Sequence, residues 1–221
     1  MLKHIPNALT LTRLILAPVI AWTMLSAAFS HSTANYFSSQ GHEAQYLKHV
    51  ADDFTLAAIL FVVAALTDLF DGMAARAFNA HSKFGRLIDP IADKLLVGLP
   101  LVAIALWQNN QIPFGPIVSL ATGIIVIRDV TMTIIRLRSP DGEGARVSSL
   151  AKWKTALELV VIGSFLVVSA IGVHMEADDP AKLYRLAYAE PLRLIWTALL
   201  VITAALSAYT GWQYLRPAKK S

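Results

Sequence analysis

Six long apolar stretches constrain this chain more than any other feature of its sequence. Each has about 20 residues or more, the length that an α-helix needs to cross the hydrocarbon core of a bilayer. Only 15% of the residues are charged, whereas an average soluble domain has about 25%. We therefore predict an all-α polytopic membrane protein with six transmembrane helices. The predicted spans are residues 7–30, 54–77, 87–107, 114–137, 150–173 and 191–214.

The distribution of Lys and Arg predicts how these helices are oriented, because cytoplasmic segments of membrane proteins are enriched in both. The basic residues at the two termini, in the 2–3 loop and around the 4–5 loop are Lys3, Lys83, Arg86, Arg136, Arg138, Arg146, Lys152, Arg216, Lys219 and Lys220. Those on the opposite side are Lys48, Lys182, Arg185 and Arg193. We therefore expect both termini in the cytoplasm and residues 31–53 to form a long external segment.

The composition excludes several classes of protein. The chain has no cysteine, which rules out disulfides, thiol catalysis and Cys-ligated zinc. Its net charge is +4, and in a membrane protein such an excess usually reflects basic cytoplasmic loops. No nucleic-acid-binding pattern is present, and we expect no nucleic-acid partner.

Four aspartates lie close together where predicted helices 2 and 3 meet the cytoplasm. Asp68 and Asp71 are three residues apart, and Asp89 and Asp93 are four apart, so each pair faces one side of its helix. A short loop would make the two helices antiparallel neighbours, and the pairs could then converge. Carboxylates in membrane segments are rare and usually functional. Grouped oxygen ligands favour Mg²⁺ or Mn²⁺, and two such ions form a common clamp for phosphoryl transfer.

The residues between the aspartates would leave room for a bulky ligand. Gly72 follows Asp71 inside helix 2, where glycine is unfavourable by about 1 kcal/mol relative to alanine. Ala75 keeps the next turn small, and Gly85 is predicted to precede helix 3. Arg76 could hold a phosphate through two parallel hydrogen bonds. This pattern indicates a binding site for a phosphate-containing compound.

The complete spacing is D-x2-D-G-x2-A-R-x8-G-x3-D-x3-D, which resembles the signature of the CDP-alcohol phosphotransferases at all eight fixed positions. Members of this family have six transmembrane helices and usually work as homodimers. They transfer a substituted phosphate from a CDP-linked donor to an alcohol and release CMP. The resemblance implies that residues 1–221 form a single domain of this kind.

The same resemblance implies a role for each matched residue. Two divalent cations, Mg²⁺ or Mn²⁺, would be bound by Asp68, Asp71, Asp89 and Asp93. The CDP moiety would contact Asp68, Gly72, Ala75, Arg76 and Gly85. Asp93 would also act as the general base.

Two further stretches resemble the bacterial phosphatidylglycerophosphate synthases within this family. The first is IPNALTLTRLILAP at residues 5–18, in which Asn7 and Arg13 could support the site. The ordinary interpretation is a helix start, with Asn7 as its cap and Arg13 reaching towards the surface. The second combines R-[DE]-x6-R at residues 128–136 with V-S-x2-[GA]-K-x-K-T at residues 147–155. Departures from the usual pattern are Ala151 in place of Gly and Glu158 in place of Gln.

The basic residues of the second stretch predict a pocket for the phosphate of an anionic acceptor. They are Arg128, Arg136, Lys152 and Lys154. A short loop would make helices 4 and 5 neighbours and bring the four together. The predicted reaction is transfer of a phosphatidyl group from CDP-diacylglycerol to glycerol 3-phosphate in the bacterial inner membrane, giving phosphatidylglycerol phosphate and CMP.

Other functions remain open at this stage. The acceptor could be phosphatidylglycerol, inositol phosphate, serine or choline, as in cardiolipin, phosphatidylinositol phosphate, phosphatidylserine and phosphatidylcholine synthases. A membrane prenyltransferase would be expected to carry two separate Asp-rich motifs, and this chain has one. A divalent-cation transporter is the alternative outside the enzymes, although transport sites usually lie near the bilayer midplane. Metal-dependent release of CMP would distinguish the transferase from these alternatives.

Overall fold

Six α-helices make up the described part of the computed structural model, which covers residues 5–36, 43–78, 83–109, 114–138, 149–178 and 182–215. No strand occurs in these ranges. The helices are α1 (Ile5–Tyr36), α2 (Glu43–Phe78), α3 (Lys83–Asn109), α4 (Gly115–Arg138), α5 (Ser149–Asp178) and α6 (Lys182–Leu215). The prediction of an all-α protein with six membrane-length helices is confirmed.

Every helix contains one span long and apolar enough to cross a membrane. These spans are Leu9–Ser30, Leu47–Asp68, Ile88–Gln108, Gly115–Ile135, Lys152–His174 and Pro191–Leu215. The helices continue past the spans at several ends. Much of the predicted external segment 31–53 is helical, because α1 runs to Tyr36 and α2 begins at Glu43.

The helices form a closed ring in which α1 lies between α2 and α3. Around the ring, α2 is followed by α5, α6, α4 and α3. Ala17, Ala21 and Ala27 are buried along α1, and small residues of this kind let neighbouring helices approach closely. Over the described residues α2 and α3 contact each other little. The prediction that they pack directly as antiparallel neighbours is therefore wrong there, because α1 separates them.

The predicted contact between helices 4 and 5 is also wrong for the described residues. Helix α4 packs against α3 and α6, whereas α5 packs against α2 and α6. Helix α6 therefore lies between them. Residues of α4 and α5 can meet only where long side chains cross the interior of the bundle.

Aromatic side chains cluster towards one end of the bundle. Phe54 makes an edge-to-face contact with Trp107, with ring centroids 5.1 Å apart. Phe165 lies against both Phe54 and Trp196, at centroid distances of 6.2 and 5.2 Å. Phe54 and Asp68 are separated by fourteen residues of α2, or about 21 Å along the helix axis. The aromatic cluster thus lies towards one end of the bundle, and the charged residues lie towards the other.

Candidate active site

Two of the predicted aspartates meet a buried arginine from α1. Nη1 of Arg13 contacts Oδ1 of Asp68 on α2 and Oδ1 of Asp93 on α3. Arg13 is only 2% exposed, whereas the side chains of Asp68 and Asp93 are each 46% exposed. Arg13 therefore joins α2 to α3 and supplies a positive charge between two carboxylates that would otherwise repel each other.

A second contact from α1 holds the third aspartate. The Thr10 hydroxyl donates a hydrogen bond to Oδ1 of Asp89 at 2.5 Å. Thr10 and Arg13 are three residues apart and so face the same side of α1. Sequence reasoning named Arg13 as a supporting residue and missed Thr10, although the T-x2-R spacing marks both on one helix face.

The donor chemistry of this cluster, which comprises Asp68, Asp89 and Asp93, suits a hard divalent cation. Its side chains offer oxygen ligands alone. Asp68 and Asp93 are neighbours because both contact the same nitrogen of Arg13. Asp89 faces Thr10 instead, and within the described ranges no three acidic or imidazole side chains converge as ligands of one ion. The side chain of Asp71, the fourth predicted ligand, lies outside the described residues.

The other residues of the sequence signature lie where α2 ends and α3 begins. Gly72, Ala75 and Arg76 belong to the last turns of α2. Gly85 was predicted to precede helix 3, but α3 starts at Lys83 and includes it. Glycine costs little in a first turn, where several N–H groups have no intrahelical partner in any case. The side-chain positions of Arg76 and of Asn7, in the first turn of α1, lie outside the described residues.

A second charged cluster surrounds Asp129 of α4, which is 4% exposed. Oδ1 of Asp129 contacts Nη1 of Arg128, at 2.9 Å, and Nζ of Lys154 from α5. Oδ2 contacts Nζ of Lys94 from α3 at 2.7 Å. Lys154 is also paired with Glu158 of α5, with 2.7 Å between Nζ and Oε1. One carboxylate thus gathers cations from three helices.

Arg128 is fixed further by two residues of α6. Its Nη2 donates a hydrogen bond to the Thr210 hydroxyl at 3.2 Å. Its aliphatic part crosses Gly211, where an added Cβ would lie 3.0 Å from Cγ of Arg128. Glycine at position 211 therefore permits this close approach.

The structure brings together two of the four predicted acceptor-site cations, Arg128 and Lys154. Lys152 is exposed on α5, and the side chain of Arg136 lies outside the described residues. Sequence reasoning missed Lys94 and Asp129 as members of this cluster. Each is a charged residue within an apolar span, and such residues are functional candidates by default.

The two charged clusters are adjacent because Asp93 and Lys94 are consecutive in α3. Asp93 contacts Arg13 on one side, and Lys94 contacts Asp129 on the other. The first cluster is rich in carboxylates. The second has three cations against the two carboxylates of Asp129 and Glu158, which leaves one net positive charge. The arrangement places a carboxylate-rich group, which suits a hard cation, beside a basic group, which suits an anion.

Comparison with known proteins agrees with this chemistry. The sequence model of the family described as CDP-alcohol phosphatidyltransferase matches residues 3–209. The CDP-diacylglycerol–glycerol-3-phosphate 3-phosphatidyltransferase of Cereibacter sphaeroides is 32% identical, over 97% of this chain and 95% of the relative. Proteins of the same name from Rickettsia felis and Bacillus subtilis are each 30% identical, over 99% and 96% of this chain and 97% and 93% of their own lengths. This chain is a multi-pass membrane protein of the CDP-alcohol phosphatidyltransferase family.

Proposed function

We propose that this protein transfers the phosphatidyl group of CDP-diacylglycerol to glycerol 3-phosphate and releases CMP. The observation that carries the proposal is the juxtaposition, through consecutive residues of α3, of the carboxylate cluster and a buried basic cluster. A nucleotide-linked pyrophosphate needs the first, and an acceptor that carries its own phosphate needs the second. The names of the relatives from three bacterial genera support the same pair of substrates.

The chemical step follows from the proposed roles of the aspartates. Asp93 takes the proton from the acceptor hydroxyl, and the hydroxyl oxygen attacks the β-phosphorus of the donor. The bond between that phosphorus and the oxygen bridging to the α-phosphate breaks, and CMP leaves with the bridging oxygen. Arg76 helps to hold the negative charge of the leaving group. Gly72, Ala75 and Gly85 leave space for the CDP moiety beside Asp68.

Two divalent cations, Mg²⁺ or Mn²⁺, would be held by Asp68, Asp71, Asp89 and Asp93. When bound, they would neutralise charge on the pyrophosphate and make its phosphorus more electrophilic. The Arg13 contacts with Asp68 and Asp93 support this assignment, since they gather carboxylates from two helices on one nitrogen. Titration of the purified protein with Mn²⁺, followed by electron paramagnetic resonance, would count the bound ions without any substrate.

An acceptor panel tests the proposed function. The purified protein is supplied with CDP-diacylglycerol, Mg²⁺ or Mn²⁺, and one of glycerol 3-phosphate, inositol phosphate, serine, choline or phosphatidylglycerol. We expect a new lipid product with glycerol 3-phosphate and little with the others. Turnover with a different acceptor and none with glycerol 3-phosphate would contradict the proposal.

The basic residues of the proposed acceptor site give a further prediction. Each hydrogen bond to a charged group contributes about 1.5–3 kcal/mol, which corresponds to roughly ten- to a hundredfold in binding. Arg136→Ala and Lys152→Ala should therefore raise the KM for glycerol 3-phosphate by about that factor, with the KM for CDP-diacylglycerol unchanged. Lys48→Ala is a matched control, because Lys48 is an exposed cation near the opposite end of the bundle. Equal changes in both KM values would assign these residues to the fold or to the donor.

We also propose that both termini and the connection between α2 and α3 face the bacterial cytoplasm, and that the protein is a homodimer as is usual in the family. The absence of native cysteine makes the orientation measurable by labelling. A cysteine at Ser82, which lies outside the described residues, should be protected from an impermeant reagent in intact cells. A cysteine at Gln45, exposed near the other end of α2, should react. The reverse pattern would overturn the orientation.

A further inference from the structure

Asp129 is surrounded by more positive charge than one carboxylate requires for its own burial. A single good cationic partner offsets much of the cost of burying a carboxylate. Asp129 has three, from Lys94, Arg128 and Lys154. Long cationic side chains ordinarily extend towards water, and cations held close together repel each other. Their convergence therefore needs an anion that fixes them, and Asp129 supplies one.

The positions of the three cations point to a purpose beyond neutralising Asp129. Lys154 is fully buried and has a second carboxylate partner in Glu158. Arg128 and Lys94 are more accessible, with side chains 16% and 24% exposed. Lys94 directly follows Asp93, the proposed base. Lys94 therefore lies on the side of Asp129 that adjoins the carboxylate cluster, whereas Arg128 extends along α6 towards Thr210 and Gly211.

We propose that Asp129 is a positioning residue for the acceptor-phosphate site, and that Lys94 is a further cation of that site. This inference rests on the proposed function, because it assigns the cluster to the phosphate of the acceptor. Asp129 holds Arg128 and Lys94 in fixed directions before the substrate arrives, and such preorganisation lowers the cost of binding. Thr210 and Gly211 support the same placement of Arg128 from α6.

Two substitutions that make the same change in charge separate positioning from simple electrostatics. Asp129→Asn and Glu158→Gln each remove one negative charge from the surroundings of Lys154. If Asp129 acted only as a negative charge, both changes would strengthen binding of an anionic acceptor. If Asp129 positions the cations, Asp129→Asn should raise the KM for glycerol 3-phosphate by about ten- to a hundredfold. Glu158→Gln should leave this KM unchanged or lower it.

The measurement is the initial rate in detergent micelles, with each substrate varied while the other is saturating. In Asp129→Asn we expect the KM for CDP-diacylglycerol to stay within about twofold of wild type, a change worth less than 0.5 kcal/mol. A fall in the acceptor KM in both variants, or an equal rise in both, would overturn the positioning role. In Asp129→Asn, a rise in the KM for CDP-diacylglycerol by the same factor as the KM for glycerol 3-phosphate would also overturn the positioning role.

Lys94→Gln keeps the inference testable if Asp129→Asn does not fold. Lys94 is partly exposed, and its loss leaves Asp129 with two cationic partners. We expect this variant also to raise the acceptor KM selectively, and an unchanged acceptor KM would contradict the role given to Lys94. If the wild-type protein uses glycerol 3-phosphate and neither Asp129→Asn nor Lys94→Gln changes the acceptor KM, this inference alone is contradicted. No wild-type turnover with glycerol 3-phosphate would contradict the proposed function as well.

Discussion

Asp93→Asn is expected to lower the rate of phosphatidyl transfer by about a hundredfold or more. General-base catalysis typically contributes about 10²–10⁴ in rate, and the amide of asparagine cannot accept the proton. Asp93 is also a proposed cation ligand and shares Arg13 with Asp68. The substitution therefore removes a ligand as well as the base. Asp68→Asn, Asp71→Asn and Asp89→Asn should each nearly abolish transfer through the loss of a ligand. These are the largest effects on activity that we expect.

The control for this series lies on the same helix as Asp68. Asp52 is exposed towards the other end of α2, and Asp52→Asn should keep wild-type activity. Every variant should still insert and elute as a monodisperse protein, because Asp68 and Asp93 are half exposed and asparagine keeps their shape. Retained metal-dependent transfer in any of the four site variants would contradict the proposed metal site or the proposed base.

Loss of Arg13 should have the largest effect on stability. Removing one partner of a buried ion pair costs about 3–5 kcal/mol. The carboxylates of Asp68 and Asp93 are 46% exposed, and solvent screening reduces the penalty. We therefore expect Arg13→Met to destabilise the protein by about 3 kcal/mol or less, which lowers the unfolding temperature by several degrees.

Thermal unfolding in detergent tests this expectation. Arg138→Met is a matched control, because Arg138 is exposed at the end of α4, and it should unfold at the wild-type temperature. Arg13→Lys should recover part of the loss, since lysine keeps the charge but lacks the planar guanidinium. If Arg13→Met unfolds at the same temperature as wild type, the contacts of Arg13 do not stabilise the junction of α1, α2 and α3.

The sequence predicted the number of helices and their spans because a membrane-spanning helix has a minimum apolar length. It predicted the ends of the helices less well. Asp52 and Asp53 are polar, so the apolar pattern alone would assign them to a loop or a helix cap. Both residues nevertheless lie inside α2. Helices that extend beyond the hydrocarbon core need no apolar residues there, so hydropathy does not mark where they end.

The order of the helices around the ring could not be predicted from the sequence. Short loops suggested that consecutive helices pack side by side, but α1 separates α2 from α3 and α6 separates α4 from α5. The partners of Arg13 follow from this order, because only a helix between α2 and α3 can contact Asp68 and Asp93 together. The partners of Asp129 could not be predicted for the same reason, because Lys94 and Lys154 come from two other helices.

Because the sequence analysis grouped residues by charge, it did not predict the counter-ions within each cluster. The basic residues were considered together as an anion pocket, and the acidic residues as a metal site. The structure instead places Asp129 and Glu158 among the cations and Arg13 among the carboxylates. Charged side chains in a low-dielectric interior require partners of opposite sign, and each predicted cluster therefore contains its own counter-ions.

Membership of a transferase family favours the enzyme over the divalent-cation transporter that the aspartates alone left open. The position of the charged residues agrees with this interpretation, because both clusters lie at one end of the bundle. A transport site would be expected nearer the bilayer midplane.

The most direct test of the central claim is the stoichiometry of one reaction with the purified protein. CMP release from CDP-diacylglycerol and incorporation of labelled glycerol 3-phosphate into lipid are measured together, before and after chelation of divalent cations. We predict equal amounts of both products, no CMP release without the acceptor, loss of both on chelation, and recovery with Mg²⁺ or Mn²⁺. CMP release that does not require glycerol 3-phosphate, or transfer that survives complete chelation, would contradict a metal-dependent site that joins these two substrates.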